Sequence, residues 1–349
     1  MRALITGITG QDGAYLAEFL IKKGYEVYGT FRRSSTPNFW RLQYLGIHNK
    51  VKLLPMDLID SSTIYHAIQM AQPDEIYHLA AQSFVGASFE QPESTGAITG
   101  LGTVKILEAI VDLNRNIRFY NAATSELYGN STEKIKGENS RFEPRSPYAA
   151  AKLYSFWVTK IYREAYGIFA SNGILFNHES PLRGLEFVTR KISNSVARIA
   201  LGLQKKLILG NMSARRDWGY APDYVEAMWY ILHANEPDDF VVATGESHSV
   251  KEFLDVAFSE AGIDQNGKIE ISKDLFRPLE VNELIGDNSK IRETLKWQPK
   301  VDFDGVVKIM VREDLKRWSD FINGRSVIWD APLYPEDLVF DSSKYYLDP

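Results

Sequence analysis

The chain has 349 residues, 44% of them apolar and 24% charged, which is long enough to bury a large core in two lobes and excludes disorder for its bulk. Forty basic against 45 acidic residues leave a net charge of −5, pointing away from nucleic acid or an anionic membrane, and zero cysteines exclude disulfides, thiolate metal sites and thiol nucleophiles. No apolar run approaches the roughly 20 residues of a membrane span, and Met1 to Thr6 reads as a strand running into glycines rather than as a signal peptide, so the cytoplasm is the expected location.

Short β-type runs alternate with helical periods through the first half, as a parallel sheet with covering helices requires. The expected strands are Arg2–Thr6, Glu26–Phe31, Val51–Met56, Glu75–Leu79 and Arg118–Ala123. Helices are expected near Ala14–Lys23, Ser62–Gln72, Thr95–Leu113 and Tyr148–Tyr166. A sixth strand near Phe169–Leu175 leads into a loop, Phe176–Gly184. Beyond it, Arg190–Leu203, Tyr224–Ala234, Val250–Ala261 and Phe303–Phe321 read as helices, and Phe240–Thr244 as a strand that could return to the sheet. The expected class is α/β, a Rossmann-like doubly wound parallel sheet with a smaller, interleaved C-terminal substrate-binding lobe. Residues 1–175 form the nucleotide-binding domain, 176–323 mainly the second lobe, and 324–349 a tail. The tail mixes aromatics with acids without helical period, which suits a surface-lying segment or one that reaches a neighbouring subunit.

Gly7-Ile8-Thr9-Gly10-Gln11-Asp12-Gly13 joins the first strand to the first helix. Glycines at such a turn permit positive φ and close backbone approach to a pyrophosphate, which then sits at the helix N-terminus. The spacing is G-x-x-G-x-x-G. An NAD site places a carboxylate about 20 residues beyond the glycines. Here the second strand ends in Thr30-Phe31-Arg32-Arg33-Ser34-Ser35, whose guanidiniums suit a 2′-phosphate, so NADP is expected; an exposed or subunit-contacting Arg pair is the alternative. Asp57, after the third strand, could accept from an adenine amino group or cap the helix at Ser62.

Tyr148 and Lys152 are four residues apart in a helix opened by Pro147 and share a face. An ammonium beside the phenol is expected to lower its pKa from about 10 and to make it a general base. Thr124 and Glu126 flank Ser125 just past the fifth strand, at the carboxyl edge where such sheets bind ligands. On an extended segment residues i and i+2 point the same way, so a hydroxyl and a carboxylate should face the pocket of Tyr148; capping of the loop around Gly129 is the alternative. Adjacent His178 and Glu179 are not expected to share a metal ion.

Gly7–Leu16 (GITGQDGAYL), His78-Leu79-Ala80-Ala81-Gln82, Ala80–Ser88 (AAQSFVGAS), Thr124–Gly129 (TSELYG), Pro144–Tyr154 (PRSPYAAAKLY), Gly173–Pro181 (GILFNHESP), Phe187–Ile192 (FVTRKI), Arg216–Trp229 (RDWGYAPDYVEAMW) and Arg277–Gly286 (RPLEVNELIG) cover some nine-tenths of the chain. In these segments it resembles the extended short-chain dehydrogenase/reductase superfamily and, within it, the GDP-mannose 4,6-dehydratase family. The resemblance implies a redox-neutral lyase reaction on GDP-mannose with NADP. Tyr148 takes the 4-hydroxyl proton as the C4 hydride leaves, Glu126 removes the C5 proton as the C6 oxygen departs as water, and the hydride returns to C6. Thr124 would hold the 4-oxygen, and Lys152 the nicotinamide ribose. It implies NADP contacts from Gly7, Thr9, Gly10, Gln11, Asp12, Gly13, Arg32, Arg33, Asp57, Leu58, Leu79, Ala80, Ala81, Gln82, Tyr148, Lys152, His178 and Arg183. It implies GDP-sugar contacts from Ser83, Glu126, Asn177, Val188, Lys191, Gly210, Arg216, Arg277 and Glu280, and a homo-oligomer, tetramer or dimer. Dehydratases of thymidine-linked sugars carry an Asp where Ser125 stands, and the family often shows Ser and Gly where Ala123 and Ala149 stand. The rival readings are a dehydratase of another GDP-sugar, such as a manno-heptose, or a sugar-nucleotide 4-epimerase, which needs no carboxylate at Glu126.

Overall fold

The computed structural model describes residues 1–333 except 37, 276–278, 280 and 282, so the expectations for Arg277, Glu280 and most of the tail lie outside the described residues. Strands β1 (Arg2–Thr6), β2 (Glu26–Phe31), β3 (Lys52–Pro55), β4 (Glu75–His78), β5 (Arg118–Thr124) and β6 (Ala170–Leu175) run parallel. Four short strands follow: β7 (Asn177–Glu179), β8 (Leu207–Leu209), β9 (Arg215–Arg216) and β10 (Trp218–Tyr220). Then β11 (Asp239–Val242) returns beside β6 and completes a seven-stranded sheet of order β11-β6-β5-β4-β1-β2-β3. The order reverses between β1 and β4, which opens a crevice at their carboxyl ends.

Successive strand residues face opposite sides. Ile5, Tyr77 and Tyr120 pack with helices α1 (Gln11–Lys22) and, later in the chain, α9 (Ala221–Leu232), while Leu4, Ile76 and Phe119 pack with α3 (Ser61–Ala71) and α6 (Gly102–Leu113). Between α1 and α6 also lie α2 (Trp40–Tyr44), α4 (Val85–Glu90) and α5 (Pro92–Thr95). The helix expected over Thr95–Leu113 is interrupted: Gly96–Leu101 forms a π turn before α6 begins. α7 (Pro147–Tyr166) is set by local chemistry. Ser146 Oγ accepts from Ala149 N at 3.1 Å, Pro147 supplies the first turn, and Gly167 ends the helix at φ +67°.

A separate cluster joins α8 (Val188–Ala200), α10 (Val250–Glu260) and α12 (Phe303–Ile322) around Trp218, Phe253 and Val307. The second lobe also holds α11 (Ser289–Leu295) and strands β12 (His248–Ser249), β13 (Ile269–Ile271) and β14 (Glu283–Leu284), which pair with β9 and β8. The segment 176–184 differs from the expected loop, because β7 pairs in parallel with β10. The start of the tail lies on its own chain: Trp329 is 4% exposed and meets Trp318 edge-on at 4.7 Å. No described helix is long and apolar enough to cross a membrane.

Candidate active site

The crevice between β1 and β4 opens into two adjoining cavities that share Gly7, Gly10, Leu79, Ala81 and Ser83. One, of about 300 Å³, holds Thr124, Glu126, Tyr148 and Lys152 together with Gln11, Asp12, Gly13, Asn177, His178 and Arg183. The other, of about 510 Å³, is lined by Thr9, Arg32, Asp57, Leu58, Ala80 and Gln82, among others. Arg33 lies exposed outside both linings, so of the two expected guanidiniums only Arg32 reaches the cavity wall.

The glycine turn leaves room for a ligand and for nothing else. Gly7 sits at φ +73°, and a Cβ on it would meet Ala80 Cα at 2.9 Å. Gly10 caps α1 without any side-chain hydrogen bond, so the helix presents its backbone N–H end to the cavity. A dinucleotide pyrophosphate fits this cradle, and Arg32 suits a 2′-phosphate at the far end.

Asp57 does not cap α3. Its Oδ1 accepts from Ile59 N at 3.1 Å, while Asp60, three residues on, accepts from Ser62 N at 2.9 Å. The carboxylate nearest the helix N–H groups wins the cap, which leaves Asp57 on the cavity wall.

Thr124 and Glu126 share the cavity for a reason other than strand periodicity. Thr124 ends β5 and its Oγ1 accepts from Glu126 N at 3.3 Å, so Glu126 lies in a 3₁₀ turn over Ser125–Leu127. The hydroxyl caps the turn that carries the carboxylate. The Thr124 hydroxyl also lies beside the Tyr148 phenol in this cavity.

Tyr148 is 8% exposed and Lys152 4%. Lys152 Nζ donates to Ala122 O at 2.6 Å. Burial pushes the phenol up to about 12, with Glu126 adding to the rise and the Thr124 hydroxyl and Arg183 opposing it. Burial brings the Lys152 ammonium down to about 8, against the pull of Asp12. The expected lowering of the phenol by Lys152 is therefore overturned: desolvation outweighs charge proximity here.

Behind these groups His178 bridges two acceptors, Phe176 O at 2.7 Å from Nδ1 and Asp12 Oδ2 at 2.8 Å from Nε2. Burial would lower the ring, yet Asp12, by charge and hydrogen bond, raises it; burial would raise Asp12, yet His178 holds it below its usual value. Glu179 takes Thr189 Oγ1 and Arg183 Nε, so neither residue is directed at a metal.

Val188, Lys191, Gly210 and Arg216 line neither cavity. Val188 and Lys191 lie in the first turn of α8, Gly210 follows β8, and Arg216 on β9 donates to Arg215 O and Val281 O. Among the lining residues that the sequence does not single out, one is charged and bonded to the glycine turn. Arg41 on α2 donates to Leu182 O at 2.7 Å and Thr9 O at 3.1 Å and tethers the glycine turn to the loop after β7. Its five-residue helix carries no motif, so only the fold brings it there.

Residues 4–310 match the family model for GDP-mannose 4,6 dehydratase. The chain is 53% identical over 324 residues to GDP-mannose 4,6 dehydratase 1 of Arabidopsis thaliana, covering 90% of each. It is 49% identical over 339 residues to the Homo sapiens GDP-mannose 4,6 dehydratase, covering 90% of this chain and 91% of that protein. Among solved structures, a UDP-glucose 4-epimerase of Thermus thermophilus in complex with NAD superposes with a TM-score of 0.80 at 25% identity, over 90% of this chain and 99% of that one. A dTDP-glucose 4,6-dehydratase of Streptomyces venezuelae with NAD bound gives a TM-score of 0.81 at 22% identity, over 92% and 98%, and shows the shared fold.

Proposed function

The chain belongs to the GDP-mannose 4,6-dehydratase family and is an NADP-dependent hydro-lyase acting on GDP-mannose, and on that premise we propose how its residues divide the reaction. The product is GDP-4-keto-6-deoxymannose. When bound, NADP supplies the hydride acceptor for C4 and the donor for C6, which makes the sequence redox-neutral. Gly7, Thr9, Gly10, Gln11, Asp12 and Gly13 hold its pyrophosphate, Arg32 its 2′-phosphate, and Asp57, Leu58 and Leu79 to Gln82 the adenosine side. Lys152, His178 and Arg183 hold the nicotinamide side.

Tyr148 Oη accepts the proton of the sugar 4-hydroxyl, and Thr124 Oγ1, beside that phenol, orients the 4-oxygen. The 4-ketone acidifies C5–H. Glu126 removes that proton and passes it to the departing C6 hydroxyl, which leaves as water as the C5–C6 double bond forms. The proton held by Tyr148 then goes to C5 and the hydride to C6, which completes the product. The observation that carries the reading is the single cavity holding Tyr148, Thr124 and a second base, Glu126. Epimerisation at C4 uses no such carboxylate.

Ser83 supports the sugar from that cavity, while Asn177, Val188, Lys191, Gly210, Arg216 and Arg277 hold the GDP diphosphate and guanine, with Glu280 on the ribose. The same proposal divides the chain at 175 and 323 and places it in the cytoplasm as a homo-oligomer. Supporting the last point, Tyr154, Trp157 and Ile161 are exposed along one face of α7 beside exposed Leu101, an apolar stripe suited to a second copy of the chain.

The test is mass spectrometry of GDP-mannose deuterated at C4 after incubation with the purified protein. Loss of one water with the deuterium at C6 is expected. Glu126→Gln should still exchange the C4 hydride with NADP while dehydrating at least about a hundredfold more slowly. Normal dehydration by that variant would remove Glu126 from the role, and an unchanged mass in the wild type would overturn the division of labour as a whole.

A further inference from the structure

His78, which opens the His78-Leu79-Ala80-Ala81-Gln82 run, takes no part in the chemistry above and is fully enclosed. Its hydrogen bonds fix its protonation by elimination. Thr6 Oγ1 accepts from the backbone N–H groups of Leu79 and Ala80, each at 3.1 Å. Those two bonds use the hydroxyl's lone pairs, so its own hydrogen goes to His78 Nδ1, 2.9 Å away. Nδ1 is then bare, and the ring proton sits on Nε2, which donates to Thr103 Oγ1 at 3.1 Å.

The far end imposes the same direction. The Asp239 carboxylate can only accept, and it is held by two bonds of 2.9 Å from Arg163. Asn172 Nδ2 donates to Asp239 at 2.8 Å, which leaves Asn172 Oδ1 to accept from Asn121 Nδ2 at 2.8 Å. Asn121 Oδ1 then accepts from Ser155 Oγ at 3.1 Å. Ser155's only proton is thereby committed, so Thr103 is the donor across the 2.7 Å contact between the two hydroxyls, a shorter contact than the 3.2 Å from the same hydroxyl to Thr99 O. Every bond from the 79–80 backbone to Asp239 runs donor to acceptor in one sense. Reversing the Thr6, Ser155 or Asn121 bonds would leave a buried group unsatisfied, and Thr103 has only the longer bond to Thr99 O as a second choice.

Two parts of the site hang on this thread. Leu79, Ala80, Ala81 and Gln82 line the cavities, and Gln82 N is also held by Thr99 Oγ1 of the π turn at 3.1 Å. Ser155 lies on α7 at i+3 from Lys152 and i+7 from Tyr148, on the face they share. Asn121 precedes Ala122, whose carbonyl takes Lys152 Nζ.

We propose that His78 is a positioning residue, locked as the Nε2–H tautomer, which couples the cofactor loop after β4 to the catalytic helix α7 through Thr103 and Ser155. The inference rests on the reading above for the identity of the cavity. Burial pushes the imidazole down to about 3, and the Lys152 charge acts in the same direction, in keeping with a ring that never competes with Lys152 as a buried cation.

The full-length protein labelled with ¹⁵N-histidine tests this directly. Two-bond ¹H–¹⁵N spectra at neutral pH should show one ring with a protonated Nε2 and a bare Nδ1, assigned by its absence in His78→Gln. A protonated Nδ1 or a charged ring at that position would overturn the proposal. Thr103→Val should disturb that ring's spectrum, weaken NADP binding by calorimetry about tenfold and lower kcat, with Thr103→Ser restoring all three. A folded Thr103→Val protein with unaltered ring spectrum, NADP affinity and kcat would also overturn it. If that variant does not fold, Ser155→Ala carries the same expectation. Failure of the wild type to dehydrate GDP-mannose would sink the reading of the site but not the spectral and calorimetric readouts, which need only the ring and NADP.

Discussion

Burial acts on Tyr148 and Lys152 in opposite senses, and the consequence for turnover falls on the lysine. A phenol pushed up to about 12 carries its own proton at neutral pH, so the proposed transfer from the 4-hydroxyl requires Tyr148 to pass that proton to solvent as it takes the substrate's. Lys152, brought down to about 8 by burial, keeps its ammonium at neutral pH and loses it above that value. If that charge supports the chemistry, kcat should fall above pH 8, by about tenfold per unit once the lysine is mostly neutral. Lys152→Arg separates charge from shape, because a guanidinium does not titrate in this range. The variant should turn over more slowly at neutral pH but without the alkaline limb. A limb unchanged in the arginine variant would assign the titration to another group. The sign on stability is the reverse. A lysine whose folded pKa lies below its unfolded value destabilises the fold while charged, and that cost is relieved as pH rises from about 8 towards 10.5.

The first turn shows how an element, not a single side chain, makes a binding site. Gly13 lies inside α1, where φ is ordinary, yet a Cβ there would strike Gly7 O at 2.5 Å and Ile8 Cα at 2.7 Å. Both are backbone atoms of the turn itself and cannot step aside. Gly24, after the same helix, sits at φ +83° with nothing within 4 Å of a built Cβ. Gly13→Ala should therefore displace the turn, cost about 1–3 kcal/mol and purify with little NADP. Gly24→Ala should cost about 1–2 kcal/mol through backbone strain and keep its NADP. Absorbance of the released nucleotide beside a thermal melt distinguishes them, and equal retention in both variants would refute the steric account. The same contrast explains what was legible in the chain. β1 and β2 announce themselves by apolar runs ending at glycine or arginine, and α7 by its Ser146-Pro147 start and Gly167 stop. The two- and three-residue strands β7 to β10 do not, since each exists only because a distant segment pairs with it. Thr124 and Glu126 share the cavity for a reason other than the i and i+2 spacing of a strand, because a hydroxyl on Cβ competes with strand extension and turns the chain. Asp57 and Asp60 are both plausible caps by sequence, and only the position of the first helical N–H groups decides between them.

At the scale of the whole molecule, the closing segment of the chain supports the site from behind. Arg317 on α12 donates to Pro181 O at 2.7 Å, in the loop that carries Arg183, and lies over the rings of Tyr44 at 4.4 Å and of Trp40 and Trp329, each at 5.9 Å. Tyr44 and Trp40 belong to α2, whose Arg41 reaches Thr9 O and Leu182 O. Trp318 in turn donates to Asn194 Oδ1 at 2.7 Å, and Arg190 pairs with fully buried Asp314, so α12 also fixes α8, the helix that begins with Val188 and Lys191. The place of Trp329 is not readable in an aperiodic tail, because it depends on Arg317 and Trp318 of α12 and on the turn of α2 that Arg317 also covers. Trp329 closes the cage without lining either cavity. Trp329→Ala should thus cost about 3–5 kcal/mol in denaturant unfolding, as expected for a large buried aromatic. Through Arg317 and Pro181 it should also weaken NADP binding, with C4 deuterium still transferred to C6 in whatever enzyme remains loaded. Calorimetric titration of NADP under conditions where the variant is fully folded separates the two effects. A variant destabilised to that extent but with wild-type NADP affinity would show that the tail stabilises the fold without bracing the loop. Weaker binding with unaltered label transfer would place Trp329 among the residues that shape the cavity from outside it.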